Sequence, residues 1–295
     1  MEGMPDSFPR LASARNERLK AVRRLRAGKD RDHLLLEGLH LVEEALARDV
    51  ALRWVLAAEE RVDALLPTLR RAEAAGAEVV LAPLALLVEV GDLDSPASLL
   101  GWAERPAPAP WSDLLGGPGP VVVAAGVQEP GNVGALARVA AGLGARGLVA
   151  LKGGASPWHP RALRGASGTT LGLAVRERVT ADALFSAARE AGAEVWAADA
   201  GLDAVDVRAA TPPRGAPFLL LLGEEGRGLD PLLRADAVQV VQVPLHRGVE
   251  SLNVATAAAV LVWELHARRA EAGAGSTAPA TGAAGPGGGS AEDAS

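Results

Sequence analysis

Apolar and polar positions along this chain repeat with two periods. Short apolar runs at 33–37, 52–57 and 78–81 have the length and bounding residues of strands. Between them, apolar residues recur at helical spacing. Residues 13–26 place Ala14, Leu19, Val22 and Leu25 on one face, and Gly28 ends the segment. A second helix is expected over 38–47. A third spans 59–75, interrupted or bent near Pro67 and closed by Gly76. Strands alternating with helices predict a small α/β domain.

The pattern then restarts with deeper runs. Residues 121–125 are continuously apolar, as in a strand buried on both faces of a parallel sheet. A helix over 132–143 ends at Gly144, and 147–151 gives the next strand. A helix at 181–191, strands at 194–198, 218–222 and 237–243, and a long apolar helix to about residue 269 complete a second α/β unit. The Pro-rich run 105–111 and the Gly/Pro cluster 116–120 separate the two units as a stiff linker. The expected division is a frayed start at 1–9, a first domain at 10–104, a linker at 105–117, a second domain at 118–270, and a tail at 271–295. The tail is dominated by Ala, Gly, Ser, Thr and Pro without periodicity, so disorder is expected there.

Composition narrows the classes. The hydrophobic fraction of 49% supplies packed cores, yet no apolar run has membrane-spanning length free of charge or Gly. The first ten residues lack a secretory apolar region. There are no cysteines, which excludes disulfides and thiolate chemistry. The expectation is a soluble cytoplasmic protein without a membrane partner. Net charge is −6, but Arg10, Arg15, Arg18, Lys20, Arg23, Arg24, Arg26, Lys29 and Arg31 form a local basic run. A solvated helix face is the ordinary reading of such a run. Nucleic-acid contact, with Arg18, Arg23 and Arg24 as candidates, becomes the better one only beside other signals.

Three polar, Gly-rich turns each follow an apolar strand of the second unit. The first, Gln128-Glu-Pro-Gly-Asn-Val-Gly-Ala-Leu-Ala-Arg138, carries Asn132, Gly134 and Arg138. The second, Leu222-Gly-Glu-Glu-Gly-Arg-Gly-Leu229, carries Gly223, Glu225 and Gly228. The third, Val243-Pro-Leu-His-Arg-Gly-Val-Glu-Ser-Leu-Asn253, carries Pro244, Gly248, Ser251, Leu252 and Asn253. Ser251 and Asn253 alone read as helix N-caps. Three such loops at the carboxyl ends of strands in one α/β unit point to one crevice. His159 has no second His or carboxylate at ligand spacing, so it reads as a solvated loop residue and no metal site is expected.

In order and spacing, the three turns resemble the motifs of the SpoU/TrmH class of RNA ribose 2′-O-methyltransferases, within the SPOUT superfamily. The resemblance extends upstream. Leu35-Leu-Glu-Gly-Leu-His-Leu-Val-Glu-Glu-Ala45, with Glu37 and Gly38, is similar to the RNA-substrate-binding domain found ahead of many such enzymes, a fold like that of kink-turn-binding ribosomal proteins. It implies a C-terminal parallel-sheet α/β domain, with a trefoil knot over about 218–270, preceded by a small α/β RNA-substrate-binding domain. A knot is beyond the reach of sequence patterning. Asp94-Ser-Pro-Ala97 partly matches the family's Pro-Gln-Gly turn.

The resemblance implies S-adenosylmethionine as methyl donor, a homodimer, and RNA as partner, ribosomal RNA ahead of transfer RNA. Gly223 would admit the cofactor closely, and Val243 and Leu252 would flank its adenine. Arg138 would hold an RNA phosphate and stabilise the developing alkoxide; a guanidinium is a poor general base. Asn132, Ser251 and Asn253 would orient Arg138, the ribose and the cofactor's amino-acid moiety. Glu225 would order its loop or pair with Arg138. The run 156–168 is similar to the family's connecting segment and offers Arg164 and Ser167 as RNA or active-site contacts, although Gly165 is inserted there. His246 and Arg247 replace the family's usual small residues. Two other classes compete: a non-catalytic RNA-binding protein on the same fold, and a nicotinamide dehydrogenase, which lacks its Gly-x-Gly-x-x-Gly turn.

Overall fold

The computed structural model describes residues 8–11, 13–91, 97–224 and 226–274. Glu225, positions 94–96 of the partly matching turn, residues 1–7 of the expected frayed start and residues 275–295 of the expected tail lie outside the described residues.

The first domain is a four-stranded sheet between two helical layers. In chain order it comprises α1 (Glu17–Arg26), β1 (His33–Glu37), α2 (Leu39–Ala47), β2 (Leu52–Ala58), α3 (Val62–Ala74), β3 (Glu78–Ala82), α4 (Leu84–Val90) and β4 (Leu99–Glu104). The strand order is β1-β4-β2-β3, with only β2–β3 parallel. Alternate residues along β1 serve opposite faces: Leu34 and Leu36 join α2 and α3, and Leu35 joins α1 and α4. α1 begins at Glu17, later than expected, because Asn16 rather than Ser13 caps it through the Arg18 N–H at 2.8 Å. The third helix runs unbroken through Pro67; a 3-10 turn at Glu59–Arg61 precedes it.

The second domain is a seven-stranded, wholly parallel sheet. It comprises α5 (Trp111–Leu115), β5 (Gly119–Ala124), α6 (Pro130–Gly142), β6 (Gly147–Leu151), α7 (Pro160–Gly165), β7 (Ala174–Val179), α8 (Ala181–Ala191), β8 (Glu194–Ala198), β9 (Val205–Asp206), β10 (Pro217–Leu222), α9 (Pro231–Ala235), β11 (Gln239–Gln242) and α10 (Val254–Ala274). The order is β7-β6-β5-β10-β8-β11-β9. β5 and β10 are central and buried along their whole length, which accounts for their unbroken apolar runs. Val122, Leu220 and Leu222 pack beneath α6 and α10, while Val121, Val123, Leu219 and Leu221 pack on α5 and α8.

Two expected boundaries move. The segment expected to be linker contains α5, whose Leu114 and Leu115 are buried in the second domain's core. The segment expected to be tail from 271 is helical as far as Ala274, since Ala270, Glu271 and Ala272 are strong helix formers. Among the described residues, no helix is long and apolar enough to cross a membrane.

The two domains share a core. The apolar cluster holding Leu34, Leu36, Leu41 and Val42 continues into Trp158, Leu163 and Ala166 of the second domain. At the seam Glu37, with its side chain 2% exposed, accepts Arg164 Nη1 at 2.8 Å and also pairs with Arg26. A carboxylate buried this deeply requires such charged partners.

Candidate active site

All seven parallel strands end on one rim, where the loops after β5 and β10 emerge side by side and the loop after β11 emerges two strands from β10. The first loop is held by Gln128, whose Nε2 donates to the carbonyls of Gly126 at 2.9 Å and Gly153 at 2.8 Å. Pro130 then opens α6, where its missing N–H is harmless. Gly134 follows because α7 lies against it: a Cβ there would sit 2.1 Å from the Ala162 carbonyl oxygen. Gly165 performs the same service from α7, where a Cβ would sit 2.9 Å from the Gly131 oxygen. The glycine that departs from the family pattern therefore has a packing role.

The second loop doubles back on itself. Glu224 and Gly228 exchange backbone hydrogen bonds of 3.0 and 2.9 Å. A Cβ on Gly223 would lie 2.3 Å from the Gly228 carbonyl carbon. The need for glycine at 223 thus arises within the hairpin itself, a reason separate from cofactor approach.

The third loop leads into α10. Asn253 is the N-cap, and Ser251 is not: Asn253 Oδ1 accepts Ala255 N–H at 2.9 Å and Thr256 N–H at 3.3 Å. Its Nδ2 donates to Asn132 Oδ1 at 3.1 Å, tying the third loop to the first. Ser251 is exposed.

Between the second and third loops lies an open cleft of about 350 Å³. Gly223, Val243, Ser251 and Leu252 line it, joined by Leu222, Leu245 and Leu261. Its size suits a small organic molecule. Asp199, Glu224 and Glu250 add carboxylates to the same walls. Sequence reasoning missed Asp199, although an acid directly after the apolar run of β8 was a usable signal. Arg234 holds it, Nε to Oδ2, at 2.8 Å.

Asn132 and Arg138 are not among this cleft's lining residues; Asn132 reaches the third loop through Asn253. Asn132 and Arg138 stand six positions apart on α6, about 9 Å along the axis. Arg138 is exposed, and its Nη1 donates to Ser167 Oγ at 3.2 Å. The structure therefore joins Arg138 to Ser167 and Asn132 to Asn253. It places Arg164 at the domain seam on Glu37.

In the basic run, Arg18 pairs with Glu78 and Arg23 with Glu89. Arg24 is exposed with no such partner among the described residues. His159 is not a solvated loop residue. It is half-buried and caps α7, its Nδ1 accepting Arg161 N–H at 3.1 Å. Burial, then the Arg161 charge, pushes its pKa below the usual histidine value. Among the described residues, no group of three His, Asp or Glu side chains is placed to hold a metal ion.

The parallel-sheet domain has the α/β fold of the SPOUT methyltransferases. Residues 119–263 match the SpoU rRNA Methylase family, and residues 16–101 match the MRM3-like substrate binding domain. The chain thus carries an MRM3-like substrate binding domain followed by a domain of the SpoU rRNA Methylase family. It is 28% identical to the 23S rRNA (guanosine(2553)-2′-O)-methyltransferase RlmP of Bacillus subtilis over 261 residues, 86% of this chain and 98% of that protein. The SpoU methyltransferase AviRb of Streptomyces viridochromogenes, in complex with AdoMet, is 25% identical with a TM-score of 0.74, covering 87% of this chain and 99% of that one. An AdoMet-bound rRNA methyltransferase from Sinorhizobium meliloti shares the fold at TM-score 0.76 and 23% identity, covering 88% and 98%.

Proposed function

We propose that this protein is an RNA ribose 2′-O-methyltransferase that uses S-adenosylmethionine and acts on ribosomal RNA. The observation that carries this reading is the convergence of three loops on one rim, with Asn253 of the third bonded to Asn132 of the first. The name of the Bacillus subtilis relative supports ribosomal over transfer RNA. The AdoMet-bound SpoU relative supports the cofactor.

The cleft fits that cofactor on chemistry. Val243, Leu252 and Leu261 offer apolar walls for an adenine, and Glu224 and Glu250 offer negative charge to a sulfonium and an ammonium. S-adenosylmethionine supplies an already activated methyl group. The protein's remaining work is to place the ribose hydroxyl in line and to stabilise the oxygen as it loses its proton. Arg138 grips an RNA phosphate and faces the developing alkoxide. The proton leaves to a phosphate oxygen or to water. Asn132, Ser251 and Asn253 orient the reacting groups, and Glu225 orders the second loop. Arg164 and Ser167 border the RNA path, and the basic run of α1 docks the RNA.

The enzyme works as a C2 dimer with segment 218–270 knotted. α10 supports the dimer: Val260, 39% exposed, and Trp263, 64% exposed, leave one of its faces uncovered. We place the activity in the cytoplasm. The deciding experiment pairs calorimetric titration of S-adenosylmethionine and of NAD with mapping of ribose methylation on ribosomal RNA, with and without the gene. Binding of the first ligand alone and loss of one ribose methyl group are expected. NAD binding, or an unchanged methylation map, refutes the assignment.

A further inference from the structure

The end of β1 and the first turn of α2 both touch the second domain. On β1, Glu37 receives Arg164. On α2, His40 Nε2 lies 3.2 Å from the carbonyl oxygen of Ser167. A carbonyl only accepts, so Nε2 carries the proton in this contact. Ser167 is also the residue whose hydroxyl receives Arg138 Nη1 at 3.2 Å.

Ser167 has a φ of 48°, a conformation few non-glycine residues adopt. Such a backbone persists where its surroundings over-determine it. α2 provides those surroundings. A Cβ on the next residue, Gly168, would meet Glu44 Cβ at 3.0 Å and Leu41 Cδ2 at 3.3 Å. Gly168 N–H is in turn bonded to the Leu163 carbonyl at 3.0 Å. The Ser167–Gly168 turn is thus pressed between α7 of one domain and α2 of the other. Arg138 is long and exposed, with many rotamers open to it. One fixed acceptor therefore decides where its planar fork of donors points.

Resting on the reading of Arg138 as the group that grips RNA, we propose that His40 is a positioning residue for methyl transfer. By holding the Ser167 carbonyl it fixes the Ser167 hydroxyl, and the hydroxyl sets the aim of Arg138. The substrate-binding domain therefore contributes to the chemical step as well as to RNA docking. His40 does this without touching cofactor or reacting atoms.

Two readouts test the idea. One is single-turnover transfer to an unmodified large-subunit ribosomal RNA transcript at saturating RNA and S-adenosylmethionine. The other is phenylglyoxal labelling of Arg138 in the protein alone, followed by peptide mass spectrometry. His40→Ala should slow transfer about tenfold with both affinities unchanged, and His40→Gln, which keeps a donor at Nε2, should restore most of the rate. Labelling of Arg138 should rise about threefold in His40→Ala and stay low in His40→Gln. Ser167→Ala should slow transfer too, and the double variant should be no slower than the slower single one. Wild-type rate and labelling in His40→Ala, equal defects in the Ala and Gln variants, or multiplying defects in the double variant would each overturn the proposal. A wild-type protein that binds S-adenosylmethionine but methylates no ribosomal RNA overturns the substrate assignment instead; Arg138 labelling then decides the role of His40 by itself.

Discussion

Asn253 divides its side-chain amide between two partners: the oxygen caps α10 at the Ala255 N–H, 2.9 Å away, and the nitrogen donates to Asn132 Oδ1 at 3.1 Å. The cap fixes the amide's orientation, so the bond to Asn132 has a defined direction. Removing either residue breaks the link between loops 121 positions apart. Only Asn253→Ala also uncaps the helix, at a cost of about 1 kcal/mol. Denaturant unfolding should therefore show Asn253→Ala less stable than Asn132→Ala by roughly that amount. Calorimetry should show weakened S-adenosylmethionine binding for Asn253→Ala. Equal stabilities in the two variants would contradict the shared role.

Arg138→Ala should leave S-adenosylmethionine affinity intact while lowering single-turnover transfer by about 100-fold or more, as for loss of a donor to a developing oxyanion. Arg138→Lys should recover little, because one ammonium cannot reproduce the planar fork. Near-normal transfer by the alanine variant would return Arg138 to a surface role.

Electrostatic docking by α1 should depend most on Arg24. Arg18 and Arg23 already face Glu78 and Glu89. Arg24→Gln should reduce the slope of log K against log salt for RNA by about one, and Arg18→Gln and Arg23→Gln should each change it less. S-adenosylmethionine binding should be untouched by all three. An unchanged slope for Arg24→Gln would leave that part of α1 as a solvated helix face.

The exposed face of α10 predicts a charge-sensitive dimer. Trp263→Glu should sediment as a monomer at micromolar concentration, with the wild type a dimer. A monomeric wild type with full activity would refute the assembly.

His159 makes stability depend on acid. Its pKa in the folded protein is pushed below 6.5 by burial and then by Arg161, so folding favours the neutral ring whose Nδ1 caps α7. That contribution is complete above the unfolded pKa and is lost as pH falls through the folded one. His159→Asn keeps a capping oxygen without a titrating ring. Its melting temperature should fall less on acidification than the wild type's, and parallel curves would dismiss the effect.

Much of this was legible in the chain. β5 and β10 announced themselves because they are buried on both faces, and the long run of α10 was equally plain. Some short elements were not legible. α4 and α7 have seven and six residues, too few for a helical period to stand out. β7 reads Ala-Val-Arg-Glu-Arg-Val because one of its sides has no neighbouring strand. Asn132 and Asn253 were chosen from the sequence, and the fold bonds them to each other. Asp199 escaped because its signal was a single acid, and His40 because its partner lies 127 positions away in the other domain.

The buried Glu37 makes the two domains interdependent as parts. A catalytic half expressed alone would present Arg164 without its carboxylate, beside an apolar surface meant to be covered. A foreign RNA-reading domain grafted in front of α5 would have to bring an acid to that same spot before the joint could close. Exchange of specificity between relatives is thus limited by the joint, and a chimaera has to supply both a Glu at this turn and the apolar residues that meet Trp158, Leu163 and Ala166.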